Sequence, residues 1–179
     1  MKKTVVLLCV VAARAHAWQF SVGTGADWAQ APALGGVAAM TGVSGEAVLS
    51  RQPFAGRRWA LVLGESNLGT ALGARHVEAI TAWRARVLWE WRLPLFYRFR
   101  PWWGAGIGAD WLERSDRYIT DALGYAQSHS ANQRDWLPTW SIVAVAPLPA
   151  HLALQLALTS GVGPHPLSTV TASLLWRIF

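Results

Sequence analysis

The stretch VEAITAWRARVLWEWR, residues 77–92, decides the fold. One set of its positions, Val77, Ala79, Thr81, Trp83, Ala85, Val87, Trp89 and Trp91, is apolar and aromatic. The interleaved set, Glu78, Ile80, Ala82, Arg84, Arg86, Leu88, Glu90 and Arg92, carries the charge. A repeat of two is the repeat of a β-strand, whose successive side chains point to opposite faces. The run is also much longer than the roughly 5–6 residues of an ordinary soluble strand. In a soluble sandwich the charged face would meet water. In a membrane barrel the apolar face meets lipid and the charged face fills the lumen.

The same alternation recurs in both directions along the chain. Trp18, Phe20 and Val22 alternate with Gln19, Ser21 and Gly23, and Trp59, Leu61 and Leu63 form a shorter run. Trp103, Ala105, Ile107, Ala109 and Trp111 alternate with Trp102, Gly104, Gly106, Gly108 and Asp110, a glycine row suited to a lumen in which a bulky neighbour needs room. Leu152, Leu154, Leu156 and Leu158 alternate with Ala153, Gln155, Ala157 and Thr159, and the last run shows Val170, Ala172, Leu174, Trp176 and Ile178. Eight strands are expected, over Trp18–Asp27, Gly35–Ser50, Arg57–Glu65, His76–Arg92, Leu95–Trp111, Trp136–Ala146, His151–Ser160 and Leu167–Phe179. Gly42 and Gly45 would split the second or mark a bulge in it.

Composition points the same way. The chain carries 12 Trp with only 15% charged residues, and indole concentrates where one edge is apolar and the other wet, as at a membrane interface. Residues 1–17 read as a secretory signal, with Lys2 and Lys3, an apolar run from Thr4 to Ala13, and Ala15-His16-Ala17 as the cleavage site. Residues 18–179 then form one barrel domain. The only cysteine, Cys9, lies in the signal without the small residues that precede a lipoprotein cysteine, so the exported chain has no disulfide. No part of 18–179 reaches the roughly 18 apolar residues of a spanning helix. No His/Cys/Asp/Glu spacing suggests a metal, and no cofactor is implied. Without Lys2, Lys3 and Arg14 the net charge is about +3, too small to argue for nucleic acid. Every remaining cation is arginine, whose guanidinium can grip a lipid phosphate through two hydrogen bonds.

The connections sort by length, as they do in outer-membrane barrels. Short turns are expected near Gln52–Gly56, Leu93–Pro94 and Pro147–Ala150, on the side of both termini, which is the periplasm. Longer loops are expected on the other side, near Trp28–Leu34, Ser66–Arg75, Leu112–Asp135 and Gly161–Pro166. The chain ends in Phe179 with Trp176 and Ile178 close by, similar to the C-terminal aromatic signal read by the barrel-assembly machinery, although Arg177 departs from the usual apolar residue. An eight-stranded barrel leaves no aqueous channel. Arg84, Arg86, Arg98 and Arg100 with Glu78, Glu90 and Asp110 are expected to pair in the lumen. A porin is thereby disfavoured.

From Val87 to Phe179 the chain resembles the outer-membrane lipid A 3-O-deacylases. The likeness rests on Arg100-Pro101-Trp102-Trp103-Gly104-Ala105-Gly106-Ile107-Gly108-Ala109, on Ser160-Gly161-Val162-Gly163 after the penultimate strand, and on the closing Leu-Leu-Trp-Arg-Ile-Phe. The resemblance implies hydrolysis of an acyl ester of lipopolysaccharide by a serine with a histidine base two residues before it, in a His-x-Ser-Asn motif on the lipid-facing side. Residues i and i+2 of a strand share a face, so such a base reaches the hydroxyl. Here Ser160 matches the serine, Leu158 stands at the histidine position and Gly161 replaces the asparagine. A leucine takes no proton, and no residue matches the family's acidic group.

Two other bases come into view. His165 follows Ser160 in a short loop, and Ser128-His129-Ser130 with Asp135 lies in the longest loop, where polar filler is the simpler reading. Tyr118, Tyr125 and Arg117 are possible surface contacts of that loop. The sequence therefore predicts an outer-membrane barrel touching lipid, lipopolysaccharide included. It is either a deacylase-type barrel whose chemistry is lost or relocated, or a noncatalytic structural or interaction barrel. A soluble periplasmic sandwich is the third reading.

Overall fold

The computed structural model describes residues 18–33, 36–70, 76–93, 100–118, 131–163 and 166–178. The expected signal segment, residues 1–17, lies outside them. Eight strands follow in order: β1 (Trp18–Ala33), β2 (Gly36–Phe54), β3 (Arg57–Thr70), β4 (His76–Arg92), β5 (Trp102–Tyr118), β6 (Ala131–Pro147), β7 (Leu152–Gly161) and β8 (Ser168–Arg177). Each pairs antiparallel with its neighbour in sequence, and β1 closes on β8 from Ser21↔Arg177 to Gln30↔Ser168. Closure gives every strand a paired neighbour on both sides, which is what allows strands to cross hydrocarbon at all.

The two faces of β4 fall as its alternation predicts. Trp83, Ala85, Val87, Trp89 and Trp91 are exposed on the outside, and Ile80, Ala82, Arg84, Arg86, Leu88 and Glu90 are buried inside. The other strands repeat this division, with Ile107, Leu154, Leu158, Val170 and Leu174 all outward. Tryptophans mark two levels of the outer wall. Trp18, Trp59, Trp91 and Trp103 sit toward the termini, while Trp83, Trp111 and Trp136 form one register row toward the other end. Trp83 and Trp91 are eight residues apart on one strand. At ~3.3 Å per residue and a tilt of ~40° the rows are about 20 Å apart along the barrel axis, close to the ~25 Å apolar band of this class of barrel.

The glycine row serves close approach. A Cβ at Gly104 would lie 2.5 Å from Glu90 Cγ, and one at Gly108 would lie 2.6 Å from Arg86 Cγ. The lumen needs these absences, because Glu90 and Arg86 cross it from the adjacent strand.

Several boundaries differ from expectation, for physical reasons. Strands β1, β3, β5 and β6 run further from the termini than predicted, so Trp28–Ala33, Ser66–Thr70, Leu112–Tyr118 and Ala131–Asp135 belong to the sheet and not to loops. Beyond the Trp83 row the outer wall carries Gln30, Asn67, Thr81, Glu113 and Arg134, so hydrophobic alternation stops although the ladder continues. The β4–β5 connection covers residues 93–101 instead of a two-residue turn, with strand pairing resuming at Arg92↔Trp102. Pro101, which lacks a ladder N–H, precedes that restart, and the expected start at Leu95 lies outside the described residues. The β2–β3 hairpin is the tightest connection at the terminal end, with Phe54 paired to Arg57 and Gly56 at φ 76°. This hairpin and the described chain ends, Trp18 and Ile178, lie at one end of the barrel, while the longest connection, from Tyr118 to Ala131, lies at the other, the arrangement of barrels whose termini face the periplasm.

Candidate functional site

The barrel interior is layered. At the outer end Ala29, Ala31, Met40, Leu68, Ile80, Ala82, Leu112, Leu137 and Leu167 close into one apolar cluster. Nearer the periplasm, Val48, Ala60, Val62, Leu88, Val143, Ala157 and Leu175 form a second. Buried polar side chains thread between them. Gln155 Nε2 donates to both carboxylate oxygens of Glu46 at 3.0 Å, and Arg86 Nη1 donates to Thr159 Oγ1 at 2.7 Å. Thr171 Oγ1 donates to Asp27 Oδ1. Arg84 Nε lies 3.3 Å from Asp110 Oδ2, an ion contact whose N–H does not point along the line. Both apolar layers lie across the bore, in keeping with the side-chain-filled interior of an eight-stranded barrel.

The expected lumenal network is thus found in part. Arg84, Arg86, Glu90 and Asp110 are buried inside. Arg100 is not: it lies exposed just before β5, at the periplasmic rim, because the chain has left the ladder there. Arg98 and the Glu78 side chain lie outside the described residues. Sequence reasoning missed Asp27, Glu46 and Arg58, which stand at inward positions of the strands it expected, and Arg114, which lies beyond the expected end of β5.

Arg58 closes the periplasmic end. It is ion-paired with Glu90 and stacks over Trp102 at 4.6 Å, and Arg92 also stands 4.6 Å from the same ring. A guanidinium over an indole face is attracted by the ring quadrupole. Trp102, itself buried, is therefore the base plate of the lumen.

Ser160 is the penultimate residue of β7, and Leu158, two residues earlier, shares its outward face. Leu158 is 41% exposed on that wall. In the ladder Ser160 stands between Trp140 and Ser168, and its Oγ is 2.9 Å from Ser168 Oγ. Neither neighbour is a base at neutral pH. His165 lies outside the described residues, as do Ser128, His129 and Ser130. Asp135 sits in β6, paired with Leu112 in the sheet, rather than in the long loop. Tyr118 and Arg117 end β5, and Tyr125 lies outside the described residues. Among the described residues no group of three or more His, Cys, Asp or Glu side chains is placed to hold a metal.

The outer wall also bears a trough of about 550 Å³, lined by Leu63, Ala85 and Ala109 and walled by Trp83, Trp111 and Trp136. Trp111 and Trp136 meet edge to face at 4.8 Å. Glu65 stands at its outer rim and accepts a hydrogen bond from Asn67 Nδ2 at 3.2 Å. Such a surface, apolar within the band and polar at its edge, suits a lipid chain better than a water-soluble ligand.

No protein-family model and no characterised protein sequence matches the chain. Solved structures do. The attachment invasion locus protein Ail of Yersinia pestis matches with a TM-score of 0.64 at 7% identity, covering 89% of this chain and 98% of Ail. The same protein in complex with the heparin analogue sucrose octasulfate matches with a TM-score of 0.61 at 8% identity, over 90% and 99%. Neisserial surface protein A matches with a TM-score of 0.59 at 12% identity, over 88% and 96%. At such identities the likeness is one of fold, and it agrees with the closed ladder, the apolar outer wall and the two tryptophan levels: the chain is a small eight-stranded β-barrel of the outer membrane.

Proposed function

We propose that this chain is a noncatalytic outer-membrane barrel that works through contact with lipid and through its outer loops. The observation that carries the reading is the pair Leu158 and Ser160 on one outward face, with the Ser160 hydroxyl engaged by Ser168. Acyl transfer needs a base within hydrogen-bond reach of the nucleophile, and leucine cannot serve. The filled bore supports the same reading, since it argues against a transport role.

One observation favours a second reading, that of a lipid A deacylase with a relocated base. Ser160 does stand on the lipid-facing wall near the outer end of β7, where an acyl ester of lipopolysaccharide could approach it. His165 would be the base to test. Mass spectrometry of lipid A from cells carrying the intact chain or Ser160→Ala separates the two readings. Identical lipid A in both, with each protein confirmed in the outer membrane, is the expected result. Loss of one 3-linked acyl chain with the intact protein alone would overturn the noncatalytic reading, and His165→Ala would follow.

A further inference from the structure

The described charges of this barrel are unevenly placed. Arg51, Arg57, Arg58, Arg92, Arg100 and Arg177 all lie at the periplasmic end. Among the described residues Glu90 is the one carboxylate there, and Arg58 already takes it. At the outer end, by contrast, Arg134 is paired with Glu113 at 3.0 Å and Glu65 stands with Asn67. The described outer end carries Arg114, Arg117 and Arg134 together with Glu78, Glu113, Asp116 and Asp135, a mixed set of charges and not a cluster of cations.

We propose that the basic periplasmic rim is a binding belt for the phosphate headgroups of inner-leaflet phospholipids. Arg51 and Arg57 emerge on the outer wall among tryptophans. Arg51 pairs in the ladders with Trp18 and Trp59, and Arg57 with Trp91. The Arg51 guanidinium stands 5.5 Å from the Trp18 ring centroid, within reach of the ring's attraction for a cation, and Arg51 itself is exposed. A planar fork of donors matches two oxygens of a phosphate. The depth agrees: these residues lie at the tryptophan level about 20 Å from the outer row, where an inner-leaflet headgroup begins. Beside them a groove of about 670 Å³ is lined by Gln19, His151 and Arg177 and by Val22, Trp176 and Ile178. Polar and apolar linings in one groove fit a phosphate continuous with an acyl chain. Because this end faces the periplasm, the occupant is phospholipid and not lipopolysaccharide.

The test uses the mature chain in phosphatidylcholine bilayers, with spin-labelled phosphatidylglycerol and spin-labelled phosphatidylcholine as probes of the motionally restricted shell. One guanidinium at a charged surface favours an anionic lipid by about fivefold, so the intact protein should prefer phosphatidylglycerol severalfold. The preference should fall toward one in Arg51→Gln/Arg57→Gln/Arg177→Gln, and in raised salt for the intact protein. Equal association of the two lipids overturns the proposal, as does a preference that survives both the substitutions and salt. The salt arm decides the matter even where the triple variant does not fold. A second arm places photo-cross-linking benzoylphenylalanine at Phe54, an exposed residue between Arg51 and Arg57, in intact cells. A phospholipid adduct is expected. A lipid A adduct, or no phospholipid adduct, contradicts the assignment.

Discussion

Replacing Gly104 with alanine should destabilise the barrel, while the same change at Gly45 should not, and the difference follows from what each new methyl would meet. At Gly104 the added carbon would lie 2.5 Å from Glu90 Cγ and 2.7 Å from the Trp89 carbonyl oxygen. Carbon atoms in comfortable contact stand ~3.5–4.0 Å apart. Neither neighbour moves cheaply, because Glu90 is held by Arg58 and the Trp89 carbonyl belongs to the sheet backbone. Overpacking of this kind costs ~1–3 kcal/mol, offset by ~0.4–1 kcal/mol from the smaller entropy of the unfolded chain, leaving a net loss of about 1–2 kcal/mol. At Gly45, on the outer wall, a new Cβ would find no heavy atom within 4 Å, so only the gain of about 0.5 kcal/mol remains. The two variants should therefore differ by about 2 kcal/mol, roughly thirtyfold in the folding equilibrium constant. Reversible urea unfolding in lipid vesicles, followed by tryptophan fluorescence, measures this directly. Equal midpoints, or a more stable Gly104→Ala, would refute the claim that the glycine row exists to admit lumenal side chains.

Other perturbations probe other parts of the structure. Glu90→Ala leaves the Arg58 guanidinium without its carboxylate in a largely enclosed site and should cost about 3 kcal/mol, with most of the loss recovered in the double variant Arg58→Met/Glu90→Leu. A double-mutant cycle in the same unfolding assay reads the coupling. Ile107 is 74% exposed in the middle of the apolar band, so Ile107→Arg should cost ~2–4 kcal/mol, whereas Gln30→Arg, beyond the outer tryptophan level, should cost ~0–1 kcal/mol. A reversed order would mean that the band has been placed at the wrong height.

How much of this was legible in the sequence depends on whether the two walls of a strand differ. In β4 they differ from end to end, and both boundaries, His76 and Arg92, are found where the alternation puts them. In β5 the outer wall turns polar after Trp111, at Glu113 and Ser115, so the period-two signal fades while the ladder runs on to Tyr118. The outward face of Ser160 was legible from its spacing to Leu158. Its contact with Ser168 was not, because cross-strand register depends on how hairpins close and not on local pattern. The lumenal partners show the same limit. Asp27 meets Thr171 and Glu46 meets Gln155 across more than a hundred residues of chain, contacts that only closure of the barrel creates.

The central claim, that the outer set of each strand meets lipid and the inner set a filled lumen, is tested most directly by spin labels at single cysteines from 83 to 91 in membranes. The chain offers a clean background, since Cys9 is its only cysteine and it precedes the barrel. Collision with dissolved oxygen should peak at Trp83→Cys, Ala85→Cys, Val87→Cys and Trp89→Cys, with minima at the even positions between them. A profile without the two-residue period, or odd positions reached better by a water-soluble nickel complex than by oxygen, would contradict a membrane-spanning barrel.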